Sequence, residues 1–483
     1  MIMILKCGTL LLVIFGSSTM RNFGCFFDKH TGPAIIEPHT GNTYTYEQLN
    51  IMCDTVARSL LSMKSTRRIA IMADNSVRYV VLMFGAMRAG LTVVTIDNKL
   101  PKDKKNQLLS DAYCGLVFDD KFINDDWDLW WTEKSTTSWK IPVEVNKDSE
   151  AHIQFTSGST GKPKGVIRTH GSENYLASFQ PWSTKGKKYM LASKLHLAGG
   201  LQQLITCLGG GGTVVMMNKF TPKSYVDALT KYRVNTVHGV PSVQRLIMST
   251  IKKSNVDVSF VDEIQVASDV VTPKLVDEIN EVYNNPKFIH RYATTEGSRP
   301  FINGSNKTYD FGFPHPDVEV KLVDGELWHR GDIVFKEYLD QPEETAKVLE
   351  DGWYKTNDIM RIDEDGRYWY VGRKDSAFSV NAKIVYPQEV SLVLEKHPSV
   401  HQSVCVPVPD DKRTNTVVAF VVKKDDVTAA ELLSWFMDNG SEHARPKHYI
   451  FLNEMTLNAS NKIDMAALKE IAHDTLKSVN VSH

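Results

Sequence analysis

The sequence predicts an α/β protein, with a large layered α/β N-terminal domain followed by a small α+β C-terminal domain. Short apolar runs alternate with amphipathic helical patterns through the first two thirds of the chain. After about Ile333 the pattern changes to strand–turn–strand segments, which are interrupted by a polar junction at 372–375. Strands separated by helices at this spacing indicate parallel βαβ units, so the first region should form a layered domain.

The first region carries four strand candidates, at 68–72, 91–96, 213–217 and 236–240. Each is a short, mostly apolar run, which is typical of a strand buried on both faces. A helix is predicted from about Val77 to Arg88, and another between the last two strands. This alternation is what crossover connections between parallel strands require.

The second region begins with a predicted hairpin that turns at Asp365-Gly366, a dipeptide favoured in tight β-turns. A helix is predicted after Pro387. The other predicted strands are 403–406 and 417–422. We therefore place the two domains at 1–373 and 374–483.

Composition and charge exclude some classes of function. The 483 residues include 56 Lys and Arg against 57 Asp and Glu, a formal net charge of −1. This balance lacks the basic footprint that nucleic-acid binding needs, so we expect no nucleic-acid partner. The six cysteines are scattered without a CxxC pair, which indicates reduced thiols in a cytoplasmic protein rather than disulfides or a zinc site.

The N-terminus is ambiguous. Lys6 precedes an apolar run at 9–15 and small residues at 16–18, which imitates a short secretory signal. The run is too short to span a bilayer, so no integral membrane span is expected. The alternatives are a first helix that packs on the core, or a true start at Met20.

A loop rich in hydroxyls, glycines and lysines follows the strand that ends near Phe155. Such a loop can wrap a polyphosphate, because glycines allow close approach, N–H groups and hydroxyls donate, and lysines neutralise charge. Pro163 stands where a Walker loop needs its second glycine, so this is a different kind of loop. A flexible surface loop is the alternative. The candidate nucleotide-binding residues are Thr156, Ser157, Gly158, Ser159, Thr160, Gly161, Lys162 and Lys164.

The order of residues in 156–165 resembles the phosphate-binding signature of the adenylate-forming superfamily, which includes acyl- and aryl-CoA ligases. Further landmarks follow in the same order, so the resemblance covers roughly 33–468. It implies ATP, Mg²⁺ and coenzyme A as cofactors, and a small C-terminal domain that is mobile.

The segment 292–296 resembles the family's Tyr-Gly-x-Thr-Glu, with Ala293 in place of the usual glycine. The resemblance implies that Tyr292 stacks on adenine, Thr295 contacts the α-phosphate and Glu296 holds Mg²⁺. A hard cation is needed there, because the charge of the triphosphate must be neutralised before a carboxylate can attack.

Three later landmarks carry further roles by resemblance. Asp358 would accept hydrogen bonds from both ribose hydroxyls. Asn357 replaces the family's glycine, and both residue types tolerate left-handed backbone, so the turn can be kept. Arg373 would contact the nucleotide, and Asp375 would be the hinge. Lys462 would be the catalytic lysine, whose charge stabilises the transition state.

His196 lies in a segment that resembles the His-x-x-Gly of acyl- and aryl-CoA ligases, and it would gate the acyl pocket. The alternative is a core histidine. No acidic residue lies between Glu173 and Asp227, so nothing nearby in the sequence would pair with a substrate ammonium. The sequence therefore favours fatty or aromatic acids over α-amino acids.

Together these landmarks predict an acid–thiol ligase that forms an acyl-adenylate and transfers the acyl group to coenzyme A. Ala382 stands where the family usually has glycine, and a positive φ there would cost about 1 kcal/mol. Two alternatives stay open. One is a free-standing adenylating enzyme that loads a carrier protein or an amine, and the other is a non-catalytic nucleotide- or acyl-binding protein.

Overall fold

The structure is a computed structural model that describes residues 22–63, 66–127, 141–156, 163–178, 184–267, 271–302, 304–305, 307–410, 414–457 and 463–480. The chain divides into two compact units. The first comprises the described residues up to Lys185, with Lys194–Thr213 and Phe335–Thr345. The second comprises Gly186–Ser193, Val214–Val334 and the described residues from Ala346 onward.

The secondary-structure elements follow the α/β pattern. The helices are α1 Tyr46–Met63, α2 Val77–Arg88, α3 Lys102–Asp111, α4 His170–Ser178, α5 Ala198–Gly209, α6 Pro222–Lys231, α7 Pro241–Ser254, α8 Pro273–Tyr283, α9 Pro342–Val348, α10 Pro387–Glu395, α11 Ala429–Asn439 and α12 Met465–Asn480. The first strands are β1 Pro33–Ile36, β2 Thr43–Thr45, β3 Arg68–Met72, β4 Thr92–Thr95, β5 Leu116–Asp119, β6 Glu150–Thr156, β7 Lys164–Thr169, β8 Lys188–Leu191, β9 Thr213–Met216, β10 Thr236–Gly239, β11 Glu263–Ala267 and β12 Lys287–Arg291. The later strands are β13 Phe301–Ile302, β14 Asp310–Pro314, β15 Glu319–Val323, β16 Glu326–Arg330, β17 Glu337–Tyr338, β18 Leu349–Glu350, β19 Trp353–Ile362, β20 Tyr368–Arg373, β21 Phe378–Val380, β22 Lys383–Val385, β23 Val400–Asp410, β24 Thr414–Lys423 and β25 His448–Leu452.

The first unit is built on a sheet with strand order β17-β7-β6-β4-β3-β5. The strands β5, β3, β4 and β6 are parallel, which confirms the βαβ units predicted from the sequence. The predicted strand at 68–72 and the predicted helix from Val77 to Arg88 have the expected bounds. The Ser76 hydroxyl caps the helix by accepting a hydrogen bond from the Tyr79 N–H.

In the second unit, β8, β10, β11 and β12 form a parallel sheet in that spatial order. An antiparallel sheet follows, with the order β13-β14-β20-β19-β16-β15. Its hairpin between β19 and β20 turns at Gly366, whose φ is +80°, so the predicted Asp365-Gly366 turn is confirmed. An aromatic cluster that includes Phe301, Phe311 and Tyr368 packs on this sheet.

The C-terminal part of the second unit contains the sheet β23-β24-β25. One apolar cluster on it includes Leu394 and Phe436, from α10 and α11, and a second includes Leu468 from α12. Helices therefore pack on both faces of this sheet, and the predicted α+β composition of the region is confirmed. The predicted domain boundary at 373/374 stays a prediction.

No helix in the described ranges is long and apolar enough to cross a membrane. The signal-like segment at 9–15 lies outside the described residues.

Candidate active site

The predicted phosphate loop leaves the first unit's sheet between β6 and β7. Thr156 at the end of β6 pairs with Lys164 at the start of β7. At the adjacent Gly165 a Cβ would lie 3.0 Å from the Leu339 Cβ, so a larger residue there would require Leu339 to shift. Six predicted nucleotide-binding residues of this loop lie outside the described residues: Ser157, Gly158, Ser159, Thr160, Gly161 and Lys162.

Lys164 is held in an ion pair that the sequence did not indicate. Its Nζ lies 2.7 Å from the Glu344 Oε2 and 4.9 Å from the centre of the Tyr338 ring. The ammonium is therefore directed toward Glu344, so contact with a phosphate requires Lys164 to exchange that carboxylate for the ligand. Its role in nucleotide binding stays a prediction.

Tyr292, which directly follows β12, contacts Asp358 in β19 of the second unit. The Tyr292 hydroxyl donates a hydrogen bond of 2.5 Å to the Asp358 Oδ2, and the Tyr292 ring lies 5.3 Å from that of Phe311. Asp358 is 4% exposed. Burial raises the pKa of Asp358 to about 6, although Arg373 and the Tyr292 hydroxyl oppose the shift. A carboxylate held in this way can accept further hydrogen bonds from a ligand.

Asn357 has a φ of +60°, so the prediction of left-handed backbone at this position is confirmed. The turn is stabilised by Glu326, whose Oε1 accepts a 3.0 Å hydrogen bond from the Asn357 N–H. The Glu326 Oε2 accepts one of 2.8 Å from the Lys374 Nζ. Glu326 therefore positions the residue that precedes Asp358. It belongs to no recognisable motif, so sequence reasoning missed it.

Arg373, at the end of β20, contacts both Asp358 of β19 and the predicted hinge residue Asp375. Its Nη1 lies 3.4 Å from the Asp358 Oδ1. Its Nε and Nη2 donate to the two carboxylate oxygens of Asp375 at 3.0 and 2.8 Å. This bidentate pair with Arg373 lowers the pKa of Asp375. The structure thus brings Tyr292, Asp358, Arg373 and Asp375 together, as the resemblance implied.

Thr295 and Glu296 lie in a tight loop after β12. The Thr294 N–H donates to the Ser298 carbonyl at 3.0 Å, and the Gly297 N–H donates to the Thr294 Oγ1 at 2.8 Å. Both predicted residues are half-buried at the tip. The described ranges contain no group of three or more side chains that could cage a metal ion. A single carboxylate fits Mg²⁺, which usually takes most of its ligands from water and phosphate.

His196 lies just before α5 in the first unit. Its Nε2 is 4.0 Å from the Asp97 Oδ2, and its carbonyl accepts a 3.4 Å hydrogen bond from the Gln154 Nε2. Burial lowers the pKa of His196, although Asp97 opposes the shift. The adjacent Lys194 Nζ lies 2.6 Å from the Asp74 Oδ1.

These contacts correct one argument from the sequence. We expected no acid near His196, because none lies close to it along the chain, but Asp97 is adjacent in space. The chain folds back through β4, whose carboxyl end leads directly to Asp97. The exclusion of α-amino acids on that ground is therefore wrong. The apolar residues Leu195, Leu201 and Leu204 are at most 1% exposed and belong to the core.

Lys462, the predicted catalytic lysine, lies outside the described residues. The prediction for Ala382 can be checked: its φ is +61°, and Asn381 before it has a φ of +50°. Val380 pairs with Lys383 across this two-residue loop. Two successive left-handed residues in a two-residue hairpin form a type I′ turn, in which alanine is strained.

Comparison with known proteins agrees with this geometry. A family model described as AMP-binding enzyme matches residues 28–339, and one described as AMP-binding enzyme C-terminal domain matches residues 389–462. The fatty acid–[acyl-carrier-protein] ligase ScoC of Streptomyces coeruleorubidus is 26% identical over 500 residues, which cover 93% of this chain and 95% of that protein.

The long-chain-fatty-acid–CoA ligase FadD13 of Mycobacterium tuberculosis is 25% identical over 480 residues, which cover 90% of this chain and 95% of that protein. Among solved structures, ATP-bound MatB from Rhodopseudomonas palustris superposes with a TM-score of 0.84 at 20% identity. The match covers 94% of this chain and 99% of that one. The last similarity bears on the fold alone.

Proposed function

This chain belongs to the family of AMP-binding enzymes, and we propose that it is an AMP-forming acid–thiol ligase acting with coenzyme A. In the first step a carboxylate oxygen of the acid attacks the α-phosphorus of ATP. The bond to the β-phosphate breaks, and pyrophosphate leaves with the electron pair. In the second step the thiolate of coenzyme A attacks the acyl carbon of the adenylate, AMP leaves, and the thiol proton goes to solvent.

The observation that carries the proposal is the arrangement of Tyr292, Asp358 and Arg373. The Tyr292 hydroxyl and the Arg373 guanidinium both contact the Asp358 carboxylate. In the proposed complex this carboxylate would accept the two ribose hydroxyls, the Tyr292 ring would stack on adenine and the guanidinium would bind phosphate oxygens. A purely structural ion pair would explain why Asp358 contacts Arg373. It would not require the Tyr292 hydroxyl to donate to the same carboxylate.

The remaining roles come from the family resemblance. Thr295 contacts the α-phosphate, Lys462 places positive charge where negative charge grows, and His196 gates the acyl pocket. Glu296 would hold Mg²⁺, which would supply positive charge to neutralise the triphosphate. We propose a fatty or aromatic acid as substrate and a cytoplasmic location.

One observation favours a second acceptor. Ala382 adds a methyl and backbone strain at the tip of the β21–β22 hairpin, which in the family's thioester-forming state approaches the pantetheine. Transfer to an amine is therefore the second candidate for this step. A carrier-protein phosphopantetheine presents the same pantetheine arm as coenzyme A, so it stays an alternative that Ala382 does not favour.

Acid-dependent pyrophosphate release from the purified full-length chain tests the first step. We expect release with ATP and a suitable acid, and trapping of the adenylate as a hydroxamate. Adding coenzyme A, a phosphopantetheinylated carrier protein or an amine in separate reactions then identifies the acceptor. Failure of every acid in a broad panel to give pyrophosphate would leave a nucleotide-binding protein without turnover.

The Lys462→Ala variant tests the catalytic assignment. Adenylate formation should fall by ~10²–10⁴-fold, the scale for losing a charged group that stabilises a transition state. Transfer from a supplied acyl-adenylate should persist. Lys469→Ala, which removes an exposed lysine from α12, is the matched control and should leave both steps unchanged. Equal loss of both steps in Lys462→Ala would contradict the assignment.

A further inference from the structure

Strand β19 bulges where it carries Asp358. Its register with β16 pairs Trp328 with Lys355 and then Glu326 with Ile359, so three residues of β19 lie opposite one residue of β16. A bulge bends its strand and changes the direction of the side chains on it, and bulges are frequent beside active sites. This bulge therefore sets the direction in which the Asp358 carboxylate points.

The centre of the bulge is Asn357, whose φ is +60°. Its N–H donates to the Glu326 Oε1 at 3.0 Å, and its carbonyl accepts a 2.8 Å hydrogen bond from the Lys374 N–H. Thr356 and Asp358 on either side are 3% and 4% exposed, and polar backbone groups in such a place need partners. Glu326 therefore supplies an acceptor where the bulge interrupts the pairing of the two strands.

The same carboxylate also binds the side chain that follows Arg373. Glu326 is 5% exposed, and its Oε2 accepts a 2.8 Å hydrogen bond from the Lys374 Nζ. A buried carboxylate is costly unless it has a positive partner and hydrogen bonds. Along the chain, Lys374 lies between Arg373 and the proposed hinge residue Asp375. Glu326 thus contacts the bulge through one oxygen and the segment at the hinge through the other.

These contacts assign a role to Glu326 that goes beyond holding a turn. We propose that Glu326 is a positioning residue: through Asn357 it directs Asp358 toward the ribose hydroxyls of the nucleotide, and through Lys374 it ties the bulge to the hinge segment. Glu326 itself touches no substrate in this scheme. The inference rests on the proposed ligase activity and adds a residue to its nucleotide site.

The affinities of the full-length protein for ATP and for 2′-deoxy-ATP, measured by calorimetry, isolate the ribose contact. A hydrogen bond to a charged group corresponds to about 10-fold in affinity or more, so the wild type should prefer ATP by that factor. Glu326→Ala should reduce the preference to within about threefold. Glu326→Gln should retain an intermediate preference, because its amide oxygen can still accept the Asn357 N–H.

Glu319→Ala is the matched control for these variants. It removes an exposed carboxylate that pairs with Arg330 in the same sheet, away from the bulge, so it should keep the full preference for ATP. In pyrophosphate release, Glu326→Ala should raise the KM for ATP by about 10-fold and change kcat by less than about threefold, as expected for lost nucleotide binding.

Lys374→Met tests the link to the hinge segment. The variant keeps an unbranched side chain but removes the ammonium that Glu326 binds. It should lower the preference for ATP in the otherwise wild-type chain and have no further effect in the Glu326→Ala background, because Lys374 acts through Glu326. Additive effects of the two changes would overturn the link.

The outcomes separate this inference from the proposed function. Equal weakening of both nucleotides by Glu326→Ala would make Glu326 structural and overturn the inference while the ligase activity stands. If Glu326→Ala folds poorly, Glu326→Gln and Lys374→Met carry the same comparison. A wild type that binds both nucleotides equally would remove the ribose role of Asp358 and this inference with it. A preference that depends on Glu326 without pyrophosphate release would contradict the ligase proposal and leave the nucleotide site in place.

Discussion

Two buried carboxyl groups in the second unit have similar exposure and opposite surroundings. Asp358 is 4% exposed and Glu395, in α10, is 5% exposed. Burial raises the pKa of Asp358 to about 6 and that of Glu395 to about 7. The partners of Asp358, in the interior strand β19, are the side chains of Tyr292 and Arg373, whereas Glu395 accepts a 2.7 Å hydrogen bond from the Ser403 N–H of β23.

The difference shows that a displaced pKa does not by itself identify a functional carboxylate. Glu395 joins α10 to β23 through its hydrogen bond with Ser403. The positive charges of Arg245 and Lys274 offset only part of the rise in its pKa that burial causes. Asp358 follows a left-handed Asn357, and its two oxygens contact the side chains of Tyr292 and Arg373. The neighbouring groups, more than the pKa, distinguish the carboxylate that we propose to bind ribose from the one that joins a helix to a strand.

Among the variants that test this contrast, Asp358→Asn should have the largest effect. The amide keeps the shape but loses the charge that strengthens hydrogen bonds to ribose, worth about 1.5–3 kcal/mol. We expect the KM for ATP in pyrophosphate release to rise by ~10–100-fold. Asp365→Asn, in the exposed hairpin turn, is the control. A KM within twofold of the wild type would place Asp358 with the structural carboxylates.

The pH dependence sharpens the same contrast. Because the ligand needs the ionised form of Asp358, kcat/KM for ATP should fall as the pH drops through about 6, and this fall should be absent in Asp358→Asn. The pKa of Asp358 is raised in the folded state, so ionisation of its carboxyl group lowers the free energy of unfolding. The free energy of unfolding should therefore rise as the pH falls and Asp358 becomes protonated. Activity and stability should therefore change in opposite directions, as followed by initial rates and thermal melts between pH 5 and 8.

Glu395→Gln should alter stability and leave catalysis unchanged. The pKa of Glu395 is raised from 4.5 to about 7, so its ionisation destabilises the folded chain progressively as the pH rises from about 5 to 8. The neutral amide should raise the free energy of unfolding at pH 8 by about 1–2 kcal/mol and flatten its pH dependence. Denaturant titrations at pH 5.5 and 8 measure this, with the exposed Glu442→Gln as control. Loss of adenylation in Glu395→Gln would contradict the distinction between the two carboxyl groups.

Asp375→Pro tests whether the residue that pairs with Arg373 is also a pivot. Proline fixes φ near −65°, so a hinge at this position could not rotate. Thiol transfer should slow by ~10-fold while pyrophosphate release continues. Asp375→Ala removes the ion pair without fixing φ, so it separates the two roles. Unchanged transfer in the proline variant would rule out a hinge at Asp375.

The smallest expected effect is that of Ala382→Gly. Glycine accepts a φ of +61° without steric strain, but it also gains freedom in the unfolded chain, so we expect a net gain of about 0.5–1 kcal/mol. Lys383→Gly, at the strand position that pairs with Val380, should instead destabilise. Destabilisation by both changes in urea titrations would show that the left-handed turn is not strained.

Much of the fold and part of the site could be predicted from local sequence. The strand at 68–72, the helix from Val77 to Arg88 and the turn at Gly366 depend on periodicity and turn chemistry within a few residues. The left-handed backbone at Asn357 follows from the same local rule. The resemblance to the adenylate-forming superfamily predicted that Tyr292, Asp358 and Arg373 would share a site, and the structure brings the three side chains together.

The sequence by itself thus determined many of the helices and strands and their order, because these depend on neighbours along the chain. Only the tertiary structure decided the pairing of His196 with Asp97, of Lys164 with Glu344, and of Arg291 with Gln265. Each of these contacts joins residues from different strands, helices or loops. Strand order and register bring such residues together, and periodicity within any one segment carries no information about the partner's position.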